Sequence, residues 1–149
     1  MSAPRPPHPR RAPRLVAWAP PLLIAAGLFW ASATPYLRFE QDELADLVVR
    51  KTGHAAAYGL LALAVWHALA ATSRLRPARA WAWVATVLYA ASDEFHQSFT
   101  PGRGPSARDV AIDASGAAVA IALGRAVLAW RARRRDPGRR RERAQADVG

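Results

Sequence analysis

Eight polar residues in a largely apolar sequence have the types and the spacing that a ligand-binding site requires. They are Lys51, His54, Tyr58, Glu94, Gln97, Arg103, Asp109 and Asp113. Apart from Arg103, they are grouped in three short segments at separations of three or four residues, which places each group on one helix face. The cationic side chains can donate hydrogen bonds to a polar or anionic ligand, and the carboxylates and the amide can orient those donors. The sequence therefore predicts a binding site that several helices contribute to.

The same residue types allow a second hypothesis, an enzyme that uses a divalent metal ion. Histidine and carboxylate side chains, here His54, His96, Glu94, Asp109 and Asp113, are suitable metal ligands. However, the sequence has no HExxH motif, no serine nucleophile motif and no glycine-rich phosphate loop. We therefore expect no metal and no cofactor and favour a binding protein. The metal-dependent enzyme remains the alternative, with its catalytic residues unknown.

Some of these residues also have simpler explanations. Asp109 could be only the N-cap of a helix, and Lys51 could extend to the membrane surface. His96 is two residues from Glu94 and should point in another direction. Glu94 and Asp113 fall within apolar segments, where an ionisable group is costly and usually faces the interior of a helix bundle. These two residues argue most strongly for a site. A buried Glu94 requires a cationic or hydrogen-bonding partner, and Lys51 is the partner that we expect for it.

Four apolar segments position the polar residues, and each is close to the length of about 20 residues that crosses a bilayer. They are predicted at residues 15–33, 54–71, 81–97 and 110–130. The first has no polar stripe of the kind that a soluble helix shows. We expect an all-α fold, a four-helix membrane bundle formed by one domain at residues 15–130. Basic tails are predicted at residues 1–14 and 131–149, the second of them disordered.

The distribution of arginine predicts the orientation of this bundle. Both tails and the connection at residues 72–80 are rich in arginine, whereas residues 34–51 and 98–109 have balanced charges. Because basic segments stay in the cytoplasm, both termini are predicted to be cytoplasmic and the eight polar residues to converge at the external end. The net charge of +10 comes mainly from the tails, which would attract anionic lipids. We expect membrane lipids and a lipid-linked or anionic ligand as partners, and no nucleic acid.

Two segments have further interpretations. A basic stretch, an apolar run and the small residues Ala31, Ser32 and Ala33 resemble a cleavable signal peptide, although the apolar run is long for one. Cleavage would leave three spans. Residues 42–50 carry apolar side chains at helical spacing and predict a short interfacial helix. On the fourth span, the small residues Ala120 and Gly124 predict close approach of another helix.

Several motifs together resemble the VanZ-like family of small bacterial membrane proteins. They are Ser32-x-x-Pro35, Lys51-x-x-His54-x-x-x-Tyr58, Glu94-x-x-Gln97, Pro101-x-Arg103, Asp109 and Gly116. Their order and spacing agree between residues 15 and 130, and the segment DEFHQSFTPGRGPSARD carries most of the signal. In the family the Ser-x-x-Pro motif ends a retained first span, which argues against signal cleavage.

This resemblance implies a multi-pass protein of the bacterial cytoplasmic membrane and cell envelope. The family takes its name from a member that lowers susceptibility to the glycopeptide antibiotic teicoplanin, so a link to antibiotic resistance is an expectation here. The resemblance supplies no established reaction. One position departs from the family pattern: Asp113 stands where asparagine is usual, and it adds a carboxylate to the predicted site.

Overall fold

The computed structural model describes residues 14–33, 43–99 and 106–135, which are helical apart from short connections and contain no strand. A 3-10 turn at Arg14–Trp18 leads directly into the first α-helix. The helices are α1 (Ala19–Ala33), α2 (Glu43–Thr72), α3 (Ala78–Gln97) and α4 (Ala107–Arg135). The prediction of an all-α fold is confirmed. Arg103 and Pro35 lie outside the described residues.

Helix α2 is the centre of the bundle and packs against the other three helices, and α3 also packs against α1 and α4. Ser32 at the end of α1 contacts Asp93 near the end of α3, and Lys51 in α2 contacts Asp109 at the start of α4. Tyr58 in α2 also contacts Asp93. Glu94 near the end of α3 contacts Ser106 just before α4, so consecutive helices are antiparallel and the four-helix bundle is confirmed. We call the end that contains these contacts the polar end. The opposite end, with Arg79 in α3 and Arg125 in α4, is the arginine end.

Helix α3 has its polar side chains inside the bundle and its large apolar side chains outside. Asp93, Glu94 and Gln97 are buried, with 3%, 6% and 8% exposure, whereas Leu88 and Phe95 are each 66% exposed. A water-soluble helix has the opposite arrangement, because it buries its apolar side. In a membrane, the acyl chains solvate the apolar face and the costly polar groups turn toward protein partners. This distribution is typical of a bundle surrounded by lipid.

Small residues let the backbones of α2 and α4 approach closely. A Cβ atom on Gly116 would overlap the backbone carbonyl of Ala55. A Cβ atom on Gly59 would be 3.1 Å from the Cβ of Ala120. A Cβ atom on Gly124 would be 3.0 Å from a methyl group of Leu63. The predicted close approach at Ala120 and Gly124 is therefore confirmed. Close backbone packing gains van der Waals contact, which drives helix association in lipid.

Within the described residues, three helical segments are long and apolar enough to cross a membrane: Leu15–Ala33, Val48–Thr72 and Ala107–Arg135. The chain is accordingly a helical membrane protein. Helix α3 is not among the three, because Asp93, Glu94 and Gln97 lower the hydropathy of its last two turns. The third predicted span, residues 81–97, therefore exists as a helix but depends on its neighbours to shield its polar groups.

Two predicted boundaries differ from the structure. The separate interfacial helix predicted at residues 42–50 is instead the beginning of α2, which runs without a break from Glu43. No proline interrupts that segment, and its apolar spacing matches the helix that follows. Residues 131–135, which were predicted to begin a disordered tail, are instead the last residues of α4. In that last turn the guanidinium of Arg134 lies 4.2 Å from the centre of the Trp130 ring, a cation–π contact.

Candidate functional site

The centre of the polar end is the carboxylate of Asp93, which joins three helices. Its Oδ2 atom accepts hydrogen bonds from the Ser32 hydroxyl of α1 at 2.7 Å and from the Tyr58 hydroxyl of α2 at 3.0 Å. The side-chain amide of Gln97 donates to the same oxygen at 3.1 Å and to Ser32 Oγ at 3.1 Å. Ser32 and Tyr58 are fully buried. Three donors offset the desolvation of this buried carboxylate and fix the relative positions of α1, α2 and α3.

The second carboxylate oxygen of Asp93 differs from the first in its hydrogen bonding. Oδ1 is buried, and it has no hydrogen-bond partner among the residues that the structure describes. Buried polar atoms in proteins are normally paired, so an orphaned acceptor points to an additional donor such as a water molecule, a proton or a ligand group. Asp93 therefore has spare accepting capacity at the core of the polar end.

Lys51 and Asp109 form an ion pair between the first half of α2 and the first turn of α4. The side chains are 36% and 24% exposed, so the pair is at the boundary of the cluster and not in its core. A partly exposed pair contributes modestly to stability, but it fixes the register between two helix ends. The sequence had favoured Glu94 as the partner of Lys51, and that prediction is wrong.

Glu94 has a different role, because its carboxylate binds a backbone N–H group at the start of α4. Its Oε2 atom accepts the N–H of Ser106 at 2.9 Å, and the Ser106 hydroxyl in turn accepts the N–H of Asp109 at 3.2 Å. Ser106 is therefore the N-cap of α4, which excludes that role for Asp109. The carboxylate of Glu94 completes the cap from another helix, as a glutamate in a capping box does from its own.

Asp113 and His54 lie beside these contacts. Asp113 is buried, with 3% exposure, and its carboxylate is within electrostatic range of Asp93, Glu94, Asp109 and Lys51. No hydrogen bond joins it to a residue in the described ranges. The ring centre of His54 is 6.2 Å from that of Tyr58. In the part of the polar end that the structure describes, carboxylates outnumber lysine and arginine side chains.

Six of the eight predicted site residues make contacts at the polar end, Asp113 is buried among them, and Arg103 is outside the described residues. The sequence interpretation did not include Ser32, Asp93 or Ser106 in the site. Asp93 precedes Gln97 by four residues, and this helical spacing could have indicated that the two share one face. The sequence interpretation instead grouped Gln97 with Glu94, which precedes it by three residues. His96 points away as predicted: its ring stacks on Phe29 of α1, with ring centres 4.3 Å apart.

An apolar groove runs along the bundle from the polar end between α2 and α4. It has a volume of about 650 Å³, and its floor is formed by small residues that include Ala55, Gly59 and Gly116. Among the described residues that line it, Ser115 is the only uncharged polar side chain and Arg108 the only charged one. Arg108 makes no ion pair with a described residue. The groove is suited in shape and polarity to a hydrocarbon chain.

The described residues contain no group of three histidine or carboxylate side chains that could hold a metal ion. The metal-dependent enzyme therefore has no ligand set among the described residues. The groups at this end that could bind a ligand through hydrogen bonds or charge are the spare oxygen of Asp93, the carboxylate of Asp113, the Lys51–Asp109 pair and Arg108 at the groove.

Comparison with known proteins gives a match to one family model, described as VanZ/LLP1, over residues 14–129. Comparisons with curated proteins and with solved structures find no match. The matched range covers the bundle from the 3-10 turn before α1 to Ala129 in α4, and it contains every residue of the polar end described above. It also agrees with the resemblance seen in the motifs. The chain belongs to the VanZ/LLP1 family.

Proposed function

We propose that this VanZ-like protein binds the polar head group of a lipid-linked ligand at its polar end, with that end on the outer side of the bacterial cytoplasmic membrane. The observation that carries the proposal is the convergence of polar side chains from all four helices on one end of a membrane bundle. Ionisable groups at membrane depth are costly and mark function by default.

The α2–α4 groove supports a lipid-linked ligand. A head group at the polar end would be only one or two helical turns from the groove, since Ala55 and Gly59 on its floor follow Lys51 by four and eight residues. The described lining of the groove is largely apolar, and Arg108 is the one charged residue in it. A phosphate that connects head group and chain would meet Arg108, while the hydrocarbon chain would lie over the small residues.

The charges at the polar end suggest which head group fits. Lys51 is already paired with Asp109, so a ligand with several negative charges would face Asp93, Glu94 and Asp113 without enough described cations. Hydroxyl or amino groups would instead donate to those carboxylates. We therefore favour a head group that has one phosphate and several hydrogen-bond donors, such as a sugar or an amine.

The orientation rests on the arginine distribution. The arginine end includes Arg74 and Arg76 in the connection before α3 and Arg131–Arg135 at the end of α4. Basic segments next to membrane spans stay in the cytoplasm. The polar end would then open to the outside, where lipid-linked envelope components are exposed.

A binding measurement tests the proposal. Full-length protein in nanodiscs would be titrated with a polyprenyl phosphate sugar, with the unmodified polyprenyl phosphate as a second probe. We expect the sugar-bearing probe to bind more tightly, and Asp113→Asn and Lys51→Gln to weaken its binding. Arg74→Gln removes a charge at the opposite end and is the matched control. Equal binding of both probes, or equal effects of Arg74→Gln and Lys51→Gln, would contradict a head-group site at the polar end.

A phenotype in glycopeptide susceptibility is a separate expectation from the family. Expression of the chain in a susceptible bacterium should raise the inhibitory concentration of teicoplanin, and Asp93→Asn should remove that effect. An unchanged inhibitory concentration would leave the binding proposal intact and remove the link to resistance.

A further inference from the structure

A second recess lies at the arginine end, between α3 and α4. It has a volume of about 300 Å³ and is lined by Arg79 and Trp83 from α3, by Ile121 and Arg125 from α4, and by three alanines. Two arginines from different helices therefore border one otherwise apolar space. This recess is separate from the polar end, since Asp113 precedes Arg125 by 12 residues, or about 18 Å along the helix.

The two arginines have no protein counter-charge within the described residues. Neither Arg79 nor Arg125 makes an ion pair or a hydrogen bond there, and no carboxylate lines the recess. Both arginines are exposed on the protein surface, and two like charges that border one recess repel each other. An anion between them would remove that repulsion and accept hydrogen bonds from both guanidinium groups, which match phosphate geometry well.

The walls of the recess indicate the rest of the ligand. The indole N–H of Trp83 already donates to the carbonyl of Ala114 at 3.1 Å, so the ring offers only apolar surface to the recess. Ile121 and the alanines add no polar group. A free phosphate would leave this apolar surface uncovered, whereas the upper part of an acyl chain would cover it.

We infer that the recess between α3 and α4 binds an anionic phospholipid, with the phosphate between Arg79 and Arg125 and an acyl chain along Trp83 and Ile121. Basic pockets between membrane helices on the cytoplasmic side are known to take such head groups. The competing interpretation is that both arginines only extend to the membrane surface as ordinary interfacial anchors. The two interpretations differ in lipid selectivity and in the effect of filling the recess.

Native mass spectrometry of the full-length protein in detergent distinguishes them. The probes are phosphatidylglycerol and phosphatidylcholine with identical acyl chains. We expect one phosphatidylglycerol to be retained per protein and phosphatidylcholine to be lost. Arg79→Gln and Arg125→Gln should each weaken retention about tenfold, as expected for removal of one charge-assisted hydrogen bond. Arg125 also borders a neighbouring recess that contains Trp66, so Arg79→Gln is the variant specific to this site.

Matched controls use positions outside the recess. Arg131→Gln and Arg133→Gln remove the same charge from α4 and should change retention less than twofold. Ala118→Phe fills the recess and keeps both arginines, so it should abolish retention, whereas Ala85→Phe on an exposed face of α3 should not. Loss of retention in Arg131→Gln equal to that in Arg79→Gln, or normal retention in Ala118→Phe, would overturn the inference. Equally strong, Arg79-dependent binding of glycerol phosphate would assign the recess to a soluble anion.

Discussion

The hydrogen bond from Tyr58 to Asp93 gives the sharpest test of the polar end. Tyr58→Phe removes one hydroxyl and leaves the ring in its packing position. The lost bond ends on a buried carboxylate, and bonds to charged groups contribute about 1.5–3 kcal/mol to stability. Tyr89→Phe is the matched control, because its hydroxyl donates to the neutral backbone carbonyl of Ala25 at 2.6 Å. That change should cost about 0.6–1 kcal/mol, as for neutral bonds between membrane helices.

The assay is reversible unfolding of the detergent-solubilised protein by SDS, followed by circular dichroism. We expect Tyr58→Phe to lower the free energy of unfolding more than Tyr89→Phe does. Asp93→Asn removes the charge and leaves an oxygen acceptor, so in that background Tyr58→Phe should cost about as little as Tyr89→Phe. The difference between the two backgrounds is the coupling energy between Tyr58 and Asp93. A larger cost for Tyr89→Phe, or the same cost of Tyr58→Phe in both backgrounds, would refute the central role given to Asp93.

The remaining predictions concern helix packing, the ion pair, the orientation and the first helix. Gly116→Ala should strongly reduce folded protein in detergent, because its Cβ would overlap the Ala55 carbonyl, whereas Gly53→Ala meets nothing within 4 Å and should be tolerated. In a thermal-melting cycle, Lys51→Gln and Asp109→Asn together should cost less than the sum of the singles, with a coupling of about 0.5–1 kcal/mol; strict additivity would contradict the pair. Reporter fusions at the C-terminus should be cytoplasmic and fusions at Gly104 external, and the reverse pattern would invert the proposed orientation. The intact mass of the purified protein should correspond to a chain that retains residues 14–33, because Ser32 donates a hydrogen bond to Asp93. A mass that corresponds to a chain starting after Ala33 would show signal cleavage.

The helices, and the end of the bundle at which the polar residues meet, could be predicted from the sequence. Apolar length located α1, α3 and α4 closely but placed the start of α2 too late, at residue 54 and not at Glu43. Small residues at Ala120 and Gly124 indicated the close contact of α2 with α4. The pairing inside the site was less predictable. Asp93 and Glu94 are adjacent and both buried, about 100° apart around α3, so the rotation of this helix decides which of the two carboxylates reaches α1 and α2. That rotation depends on Ser32 and Tyr58 in other helices, and no periodicity within α3 reveals it.

The choice of partner for Lys51 shows the same limit. Glu94 and Asp109 were both available at the polar end, and burial made Glu94 the more attractive candidate. The structure pairs Lys51 with Asp109 because the N–H of Ser106 satisfies Glu94. Every residue type except proline has a backbone N–H, so apart from the capping serine the sequence does not mark the N–H group that pairs with Glu94. A search for oppositely charged side chains therefore misses this partner.

The reversed polarity of α3 also has a consequence for biogenesis. In the proposed four-span arrangement, a helix that presents an aspartate and a glutamate to lipid would insert poorly by itself, because ionisable side chains are costly at membrane depth. The donors Ser32 and Tyr58 belong to helices synthesised before α3. Co-translational insertion would thus deliver α3 to a membrane where α1 and α2 already offer hydroxyl groups to Asp93, and α3 would enter as the second arm of a hairpin with α2. Helix order along the chain would then be part of how this protein reaches its membrane.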